Sequence, residues 1–287
     1  MDLGQGLRRA VQTRPEATST IFGDRRRTWR ETADRVGHLA GGLRAMGLAQ
    51  GDRVAILALN SDRYFELLFA VPAAGGIAVP LNTRLAPPEI AYMLDDSGAS
   101  QLFIDRAMAS VLAALQDRMG PARQVISLDD MPAPGGGSEF EALLDAEPIG
   151  EAAVRDDDVA GIYYTGGTTG VSKGVMLTHR NLVTNAANII HAVGYAGDSV
   201  YLHAAPMFHL ADGASTLAVT MLAGTHVFIS RFEPAAVAAA IAGERVTNTL
   251  LVPSMINALV NFPELDRYDL SSLKMVQIGR ASCRERV

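Results

Sequence analysis

Short, continuous apolar runs alternate with amphipathic stretches along almost the whole chain, and this alternation constrains the fold more than any other feature. Thr28 and Glu31 form a capping-box pattern. After it, Ala33, Val36, Ala40, Leu43 and Met46 recur at helical spacing until Gly47. The run Val54-Ala55-Ile56-Leu57-Ala58-Leu59 follows, short enough for a strand buried on both faces. The theme repeats: a helix from Asp62 to Pro72 precedes a strand at Ile77–Val79. A helix from Pro87 to Ser97 precedes Gln101–Ile104, and a helix to Met119 precedes Gln124–Leu128. Further strands are expected near Gly161–Tyr164, Val200–His203, His226–Ile229, Thr249–Val252 and Leu273–Val276, with helices between them. Met131 to Ser138, MPAPGGGS, reads as a surface loop. The expected class is α/β, with largely parallel sheets flanked by helices on both faces.

Composition narrows the function. At 287 residues and 48% hydrophobic content the chain can bury a sizeable core. A net charge of −6 leaves no basic face for nucleic acid. No apolar run reaches the ~18 residues of a membrane helix, and the N-terminus has no apolar signal region. A soluble, cytoplasmic protein is expected. The single cysteine, Cys283, excludes an intrachain disulfide, and no metal-ligating set is assigned. His38, His179, His191, His203 and His226 read as structural, Trp29 as packing, and Asp156-Asp157-Asp158 as a solvated loop. Of the 25 basic residues only Lys173 and Lys274 are lysines. In so arginine-rich a chain, a lysine marks a place where a compact, mobile charge is needed.

Lys173 stands in the most distinctive segment, Thr165-Gly166-Gly167-Thr168-Thr169-Gly170-Val171-Ser172-Lys173-Gly174. Its glycines allow successive backbone N–H groups to turn inward and form an anion-binding nest. Thr165, Thr168, Thr169 and Ser172 add hydroxyl donors, and Lys173 adds a positive charge. That set suits a polyphosphate. The order Gly170-Val171-Ser172-Lys173-Gly174 is not that of a Walker A loop, which needs Gly-Lys-Ser/Thr in succession.

The segment Tyr164–Gly174, YTGGTTGVSKG, resembles the phosphate loop of the adenylate-forming superfamily, in particular its acyl-CoA synthetase branch. Gly166 stands where serine is usual and Ser172 where proline is usual. Thr178-His179-Arg180-Asn181-Leu182, Pro80-Leu81-Asn82-Thr83-Arg84-Leu85, Pro206-Met207-Phe208-His209 and Val252-Pro253-Ser254-Met255 extend the resemblance over residues 7–277. It implies a two-step reaction. A carboxylic acid, expected to be a fatty acid, attacks the α-phosphorus of ATP with Mg2+ to give an acyl-adenylate and pyrophosphate. Coenzyme A then takes the acyl group. Thr165, Gly166, Gly167, Thr168, Thr169, Gly170, Ser172, Lys173 and Gly174 are expected to hold the nucleotide phosphates, with Lys173 the catalytic residue. His209 is expected to form a wall of the acyl and coenzyme A tunnels. The alternatives are an aryl-acid CoA ligase, a stand-alone adenylation domain, or a non-catalytic phosphate-binding fragment.

The superfamily's Tyr-Gly-x-Thr-Glu and Thr-Gly-Asp segments and its small C-terminal lid domain do not occur in these residues. Residues 1–277 are therefore expected to be part of an N-terminal AMP-binding domain, inactive by itself. Residues 278–287, IGRASCRERV, resemble translated adapter sequence and are expected to be non-native. Resequencing the source locus across codon 278 checks this: the expected result is about 30 bases foreign to the genome, and a genomic match for all of them removes the expectation.

Overall fold

The computed structural model describes residues 2–115, 123–130, 138–150, 152–166 and 171–278. The end of the expected helix at 116–119, the expected loop at 131–137 and the tail 279–287 lie outside them. The first half runs α1 (Gly4–Thr13), β1 (Thr18–Phe22), β2 (Arg25–Thr28), α2 (Trp29–Ala45), β3 (Arg53–Leu57), α3 (Asp62–Ala73), β4 (Ile77–Pro80), α4 (Pro87–Ser97), β5 (Gln101–Ile104), α5 (Ala109–Leu115), β6 (Gln124–Ser127) and β7 (Ser138–Glu139). The second half runs β8 (Val159–Thr165), β9 (Lys173–Thr178), α6 (His179–Val193), β10 (Val200–His203), α7 (Leu210–Met221), β11 (Thr225–Phe228), α8 (Pro234–Glu244), β12 (Asn248–Leu251), α9 (Pro253–Val260) and β13 (Met275–Ile278). Among the described residues no helix is long and apolar enough to cross a membrane.

The strands form two sheets. One has the order β13-β12-β10-β11-β1-β2 and the other β7-β6-β5-β3-β4-β8-β9. Strand pairing is parallel except in the hairpins β1–β2 and β8–β9. Helices α1, α2, α3, α6 and α7 contribute to the core between the sheets. Helices α4 and α5 cover the outer face of the seven-stranded sheet, and α8 and α9 that of the six-stranded sheet. This explains the unbroken apolar run in β3: Val54 and Ile56 enter the central core, while Ala55 and Leu57 enter the core under α4 and α5.

Local signals set several boundaries. Thr28 Oγ1 accepts from Glu31 N at 3.2 Å, and Thr28 N donates to the Glu31 carboxylate at 2.7 Å, completing the capping box of α2. Thr178 caps α6 through Asn181 N at 3.1 Å. The expected strands fall within two residues of their places. Helix α1 and strands β1, β2, β7 and β9 were not foreseen. β2 consists of Arg25-Arg26-Arg27-Thr28, which carries no apolar signal because its partners are carboxylates.

Those carboxylates lie on α3, whose residues Asp62 to Pro72 are all buried. Asp62 accepts from Arg25 Nε at 2.9 Å and Nη2 at 2.7 Å, and pairs also with Arg27. Burial alone raises the Asp62 pKa, but the hydrogen bonds and charges of Arg25 and Arg27 outweigh it and hold the carboxyl below the usual range. Glu66 is bound by Arg35 at 2.7 and 3.1 Å. Arg35 and Arg63 both reach Glu141, and Arg63 donates to Leu128 O at 2.6 Å.

Two outcomes follow. Asp62→Ala leaves Arg27 without its nearest buried counter-charge, and chemical denaturation should show a loss of about 3–5 kcal/mol. The second concerns His226, which burial and then the neighbouring His203 hold well below the ordinary histidine pKa. The unfolded chain therefore takes up the proton first as pH falls. The stability contributed by neutral His226 is complete above a pH of about 6.5 and is lost progressively below it. Denaturation at pH 7.5 and 5.5 should show lower stability at 5.5, with a smaller difference in His226→Phe.

Candidate functional site

Four loops meet around one cavity of about 800 Å3. Each follows the carboxyl end of a strand: β4 leads to Arg84, β8 to Thr165 and Gly166, β10 to Pro206 and His209, and β12 to Val252 and Pro253. Most of the wall is apolar, including Val175, Leu177, Leu210, Leu250 and Met255.

The Gly/Thr loop closes the β8–β9 hairpin. Thr165 lies opposite Lys173, Tyr164 opposite Gly174 and Tyr163 opposite Val175. Gly167, Thr168, Thr169 and Gly170 lie outside the described residues. Thr165 and Gly166 line the cavity together with His209, while Ser172, Lys173 and Gly174 sit on the other limb of the hairpin. Lys173 is exposed and has no ion-pair partner among the described residues. Lys274, by contrast, pairs with Asp198 at 3.6 Å on the surface. Gly174 is required by close approach: a Cβ there would meet Ile162 Cγ2 at 2.7 Å.

His209 occupies the N-cap position of α7 without a side-chain capping bond. Partial burial lowers its pKa, and the Arg84 charge lowers it further against an opposing effect of Asp212. The loop carrying His209 is fastened by Asn60, between β3 and α3. Asn60 Nδ2 donates to His203 O at 3.0 Å and Ala205 O at 2.9 Å, and Oδ1 accepts from Met207 N at 2.9 Å. A fully buried chain of polar side chains lies behind α7. Asp212 accepts from Tyr201 OH at 3.0 Å and lies 2.7 Å from His203 Nδ1. His203 Nε2 is 3.0 Å from His226 Nδ1, and His226 Nε2 is 3.1 Å from Thr220 Oγ1. With His226 neutral, one consistent arrangement has every donor pointing toward Asp212 in the first turn of α7. His203 and His226 thus occupy a buried hydrogen-bonded network, and Trp29 packs edge-on to His226 at a 5.9 Å centroid distance. Asp156 pairs with Arg180 at 2.8 Å and helps dock the start of α6.

Sequence reading passed over Asn60, Asp212 and Tyr163 as site residues. Asn60 carries one legible signal, a polar residue ending an apolar run just before the Ser61 cap. Asp212 and Tyr163 carry none, because the cavity that they line is assembled from elements far apart in sequence.

A strand hairpin at the mouth of an apolar cavity, set between two parallel-rich sheets, matches the fold of the N-terminal domain of solved CoA-ligase structures. The chain belongs to the AMP-binding enzyme family, whose model matches residues 7–287. It is 40% identical over 280 residues to a feruloyl-CoA synthase of Amycolatopsis sp, a match covering 97% of this chain and 54% of that protein. It is 34% identical over 259 residues to a long-chain-fatty-acid–CoA ligase of Thermus thermophilus, covering 88% and 47%. The solved N-terminal domain of FACL13 from Mycobacterium tuberculosis superposes with a TM-score of 0.87 at 29% identity, covering 98% of this chain and 70% of that one. The chain spans about half the length of the curated relatives it matches.

Removing the Asn60 amide leaves buried carbonyls and an N–H unpaired. Asn60→Ala is expected to lower stability by about 1–3 kcal/mol, read by chemical denaturation.

Proposed function

We propose that this chain is the N-terminal part of an ATP-dependent acid–CoA ligase. The observation that carries the reading is the convergence of the phosphate-suited hairpin, His209 and an apolar cavity on one space. The acid lies with its apolar body in the cavity and its carboxylate toward the Thr165–Gly166 end. That end aligns it with the α-phosphorus of ATP, so the protein supplies orientation. Thr165, Thr168, Thr169, Ser172, Lys173 and the N–H groups of Gly166, Gly167, Gly170 and Gly174 hold the β- and γ-phosphates and offset charge on the leaving pyrophosphate. Lys173 suits this role because it has no carboxylate partner among the described residues. His209, neutral near pH 7 and at the cavity mouth, walls the path by which the thiol of coenzyme A reaches the acyl group. Magnesium arrives as the ATP complex. Among the described residues lining the cavity the sole carboxylate, Asp212, is buried and engaged by Tyr201 and His203, so these residues offer the ion no free carboxylate.

A fatty acid fits the apolar wall and the long-chain relative. An aromatic acid is the second reading, favoured by the higher identity to the feruloyl-CoA synthase. ATP and coenzyme A as co-substrates fit a cytoplasmic enzyme. The partial coverage of the relatives supports residues 1–277 being one part of a larger ligase that includes a lid domain.

The test is carboxylate-dependent pyrophosphate exchange by the full-length gene product. Exchange is expected with fatty or aromatic acids, and Lys173→Ala should lower it by roughly 100-fold or more. Unchanged kinetics in that variant refute the assignment of Lys173.

A further inference from the structure

The phosphate-suited hairpin projects beyond the sheet that carries it. β8 pairs with β4 at Gly161, and from Ile162 to Thr165 its ladder partner among the described residues is β9 alone. β9 is itself the edge strand of the sheet. A two-stranded ribbon is by itself only marginally ordered, so side-chain contacts set its direction. Tyr164 supplies them, one residue before Thr165. Its side chain packs, with Ile162, against the outer core under α4 and α5. A Cβ on Gly174, across the hairpin and next to Lys173, would lie 3.2 Å from Tyr164 Cζ, so the ring lies beside both limbs. The Tyr164 hydroxyl donates to Asp96 Oδ2 on α4 at 2.7 Å and lies 3.2 Å from Met93 O. Asp96 Oδ1 accepts in turn from Tyr92 OH at 3.3 Å. Burial first, and then the hydrogen bond and charge of Asp96, push the Tyr164 pKa up, which keeps the donor proton in place. The end of α4 that receives this bond is fixed as well. Leu94 is fully buried, Arg123 Nη2 donates to Leu94 O at 3.0 Å, and Gly98 closes the helix in the left-handed conformation.

We propose that Tyr164 and Asp96 are positioning residues that clamp the phosphate hairpin to α4, and so set where Thr165, Ser172 and Lys173 meet the β- and γ-phosphates of ATP. This rests on the ligase reading and extends it to two residues that need not touch the nucleotide. The clamp acts on both limbs of the hairpin at once: the backbone of Tyr164 runs directly into Thr165, and its ring meets Gly174 directly after Lys173. Lys173 is exposed, so the direction of the hairpin is what aims its charge. Loss of the Tyr164 hydroxyl leaves the ring in the outer core but frees the hairpin to swing. Contacts to the phosphates then weaken, because such contacts depend on orientation held in advance. The apolar space for the acid keeps its walls.

The experiment follows ATP-dependent pyrophosphate release by the full-length gene product with a carboxylic acid that it turns over, and measures KM separately for ATP and for the acid. Tyr164→Phe is expected to raise KM for ATP about tenfold, the effect of losing one hydrogen bond to a charged group. KM for the acid and Tm should stay nearly unchanged. Asp96→Ala should match it. Asp96→Asn, whose amide oxygen still accepts from the phenol, should recover most of the ATP affinity. Because the two residues act through one contact, Tyr164→Phe combined with Asp96→Ala should be no worse than either alone. An unchanged KM for ATP in Tyr164→Phe overturns the proposal, and so does an additive loss in the double variant. A fall in Tm with equal changes in both KM values also overturns it, since that marks Tyr164 as a support of the fold only. Turnover with an unmoved KM for ATP removes the clamp alone, whereas no turnover of any carboxylic acid by the unaltered enzyme removes the ligase reading and the clamp together.

Discussion

The structure depends on how α3 is neutralised. A helix buried on all sides by two sheets and their neighbouring helices would ordinarily be apolar all round. This one carries Asp62, Arg63 and Glu66 into the interior. Their charges are tolerable there because Arg25 and Arg27 arrive from the β1–β2 hairpin, Arg35 from α2, and Glu141 from the segment after β7. Arginine suits these contacts, since its planar fork can satisfy both oxygens of a carboxylate. The network also joins parts of the fold that share no hydrogen-bonded ladder. β1 and β2 belong to the six-stranded sheet, while α3 is the crossover between β3 and β4 of the seven-stranded sheet. The ion pairs on α3 therefore help fix how the two sheets sit against each other.

That relation places the cavity. Two of its loops follow strands of one sheet, β4 and β8, and two follow strands of the other, β10 and β12. Parallel strands bring their carboxyl ends to the same side, and ligand sites of open α/β sheets gather there. Here the space lies between two such edges, so its walls depend on both sheets. Asn60 reinforces the junction: it belongs to the β3–α3 turn of one sheet and hydrogen-bonds the His209 loop that leaves the other.

Much of this was legible in the sequence where the signal is local. Buried strands read as short apolar runs, and the helix starts at Thr28 and Thr178 as capping patterns. β2 was illegible because its arginines look like a polar loop until the carboxylates of α3 are placed beside them. β9 was illegible for a different reason. It is an edge strand with Val175 and Met176 exposed, so it carries no clean alternation between a buried and a solvent face.

The sequence by itself therefore determined the α/β class and the order of most of the strands and helices. Each of these follows from residues within a few positions of one another, through periodicity, capping and backbone freedom. Tertiary structure alone decided how the strands divide between two sheets. It brought β1 beside β11, and it set Tyr163 and Asp212 in the wall of one cavity. Those relations join residues tens to hundreds of positions apart. They arise from packing and from neutralising buried charge, and neither leaves a periodic trace along the chain.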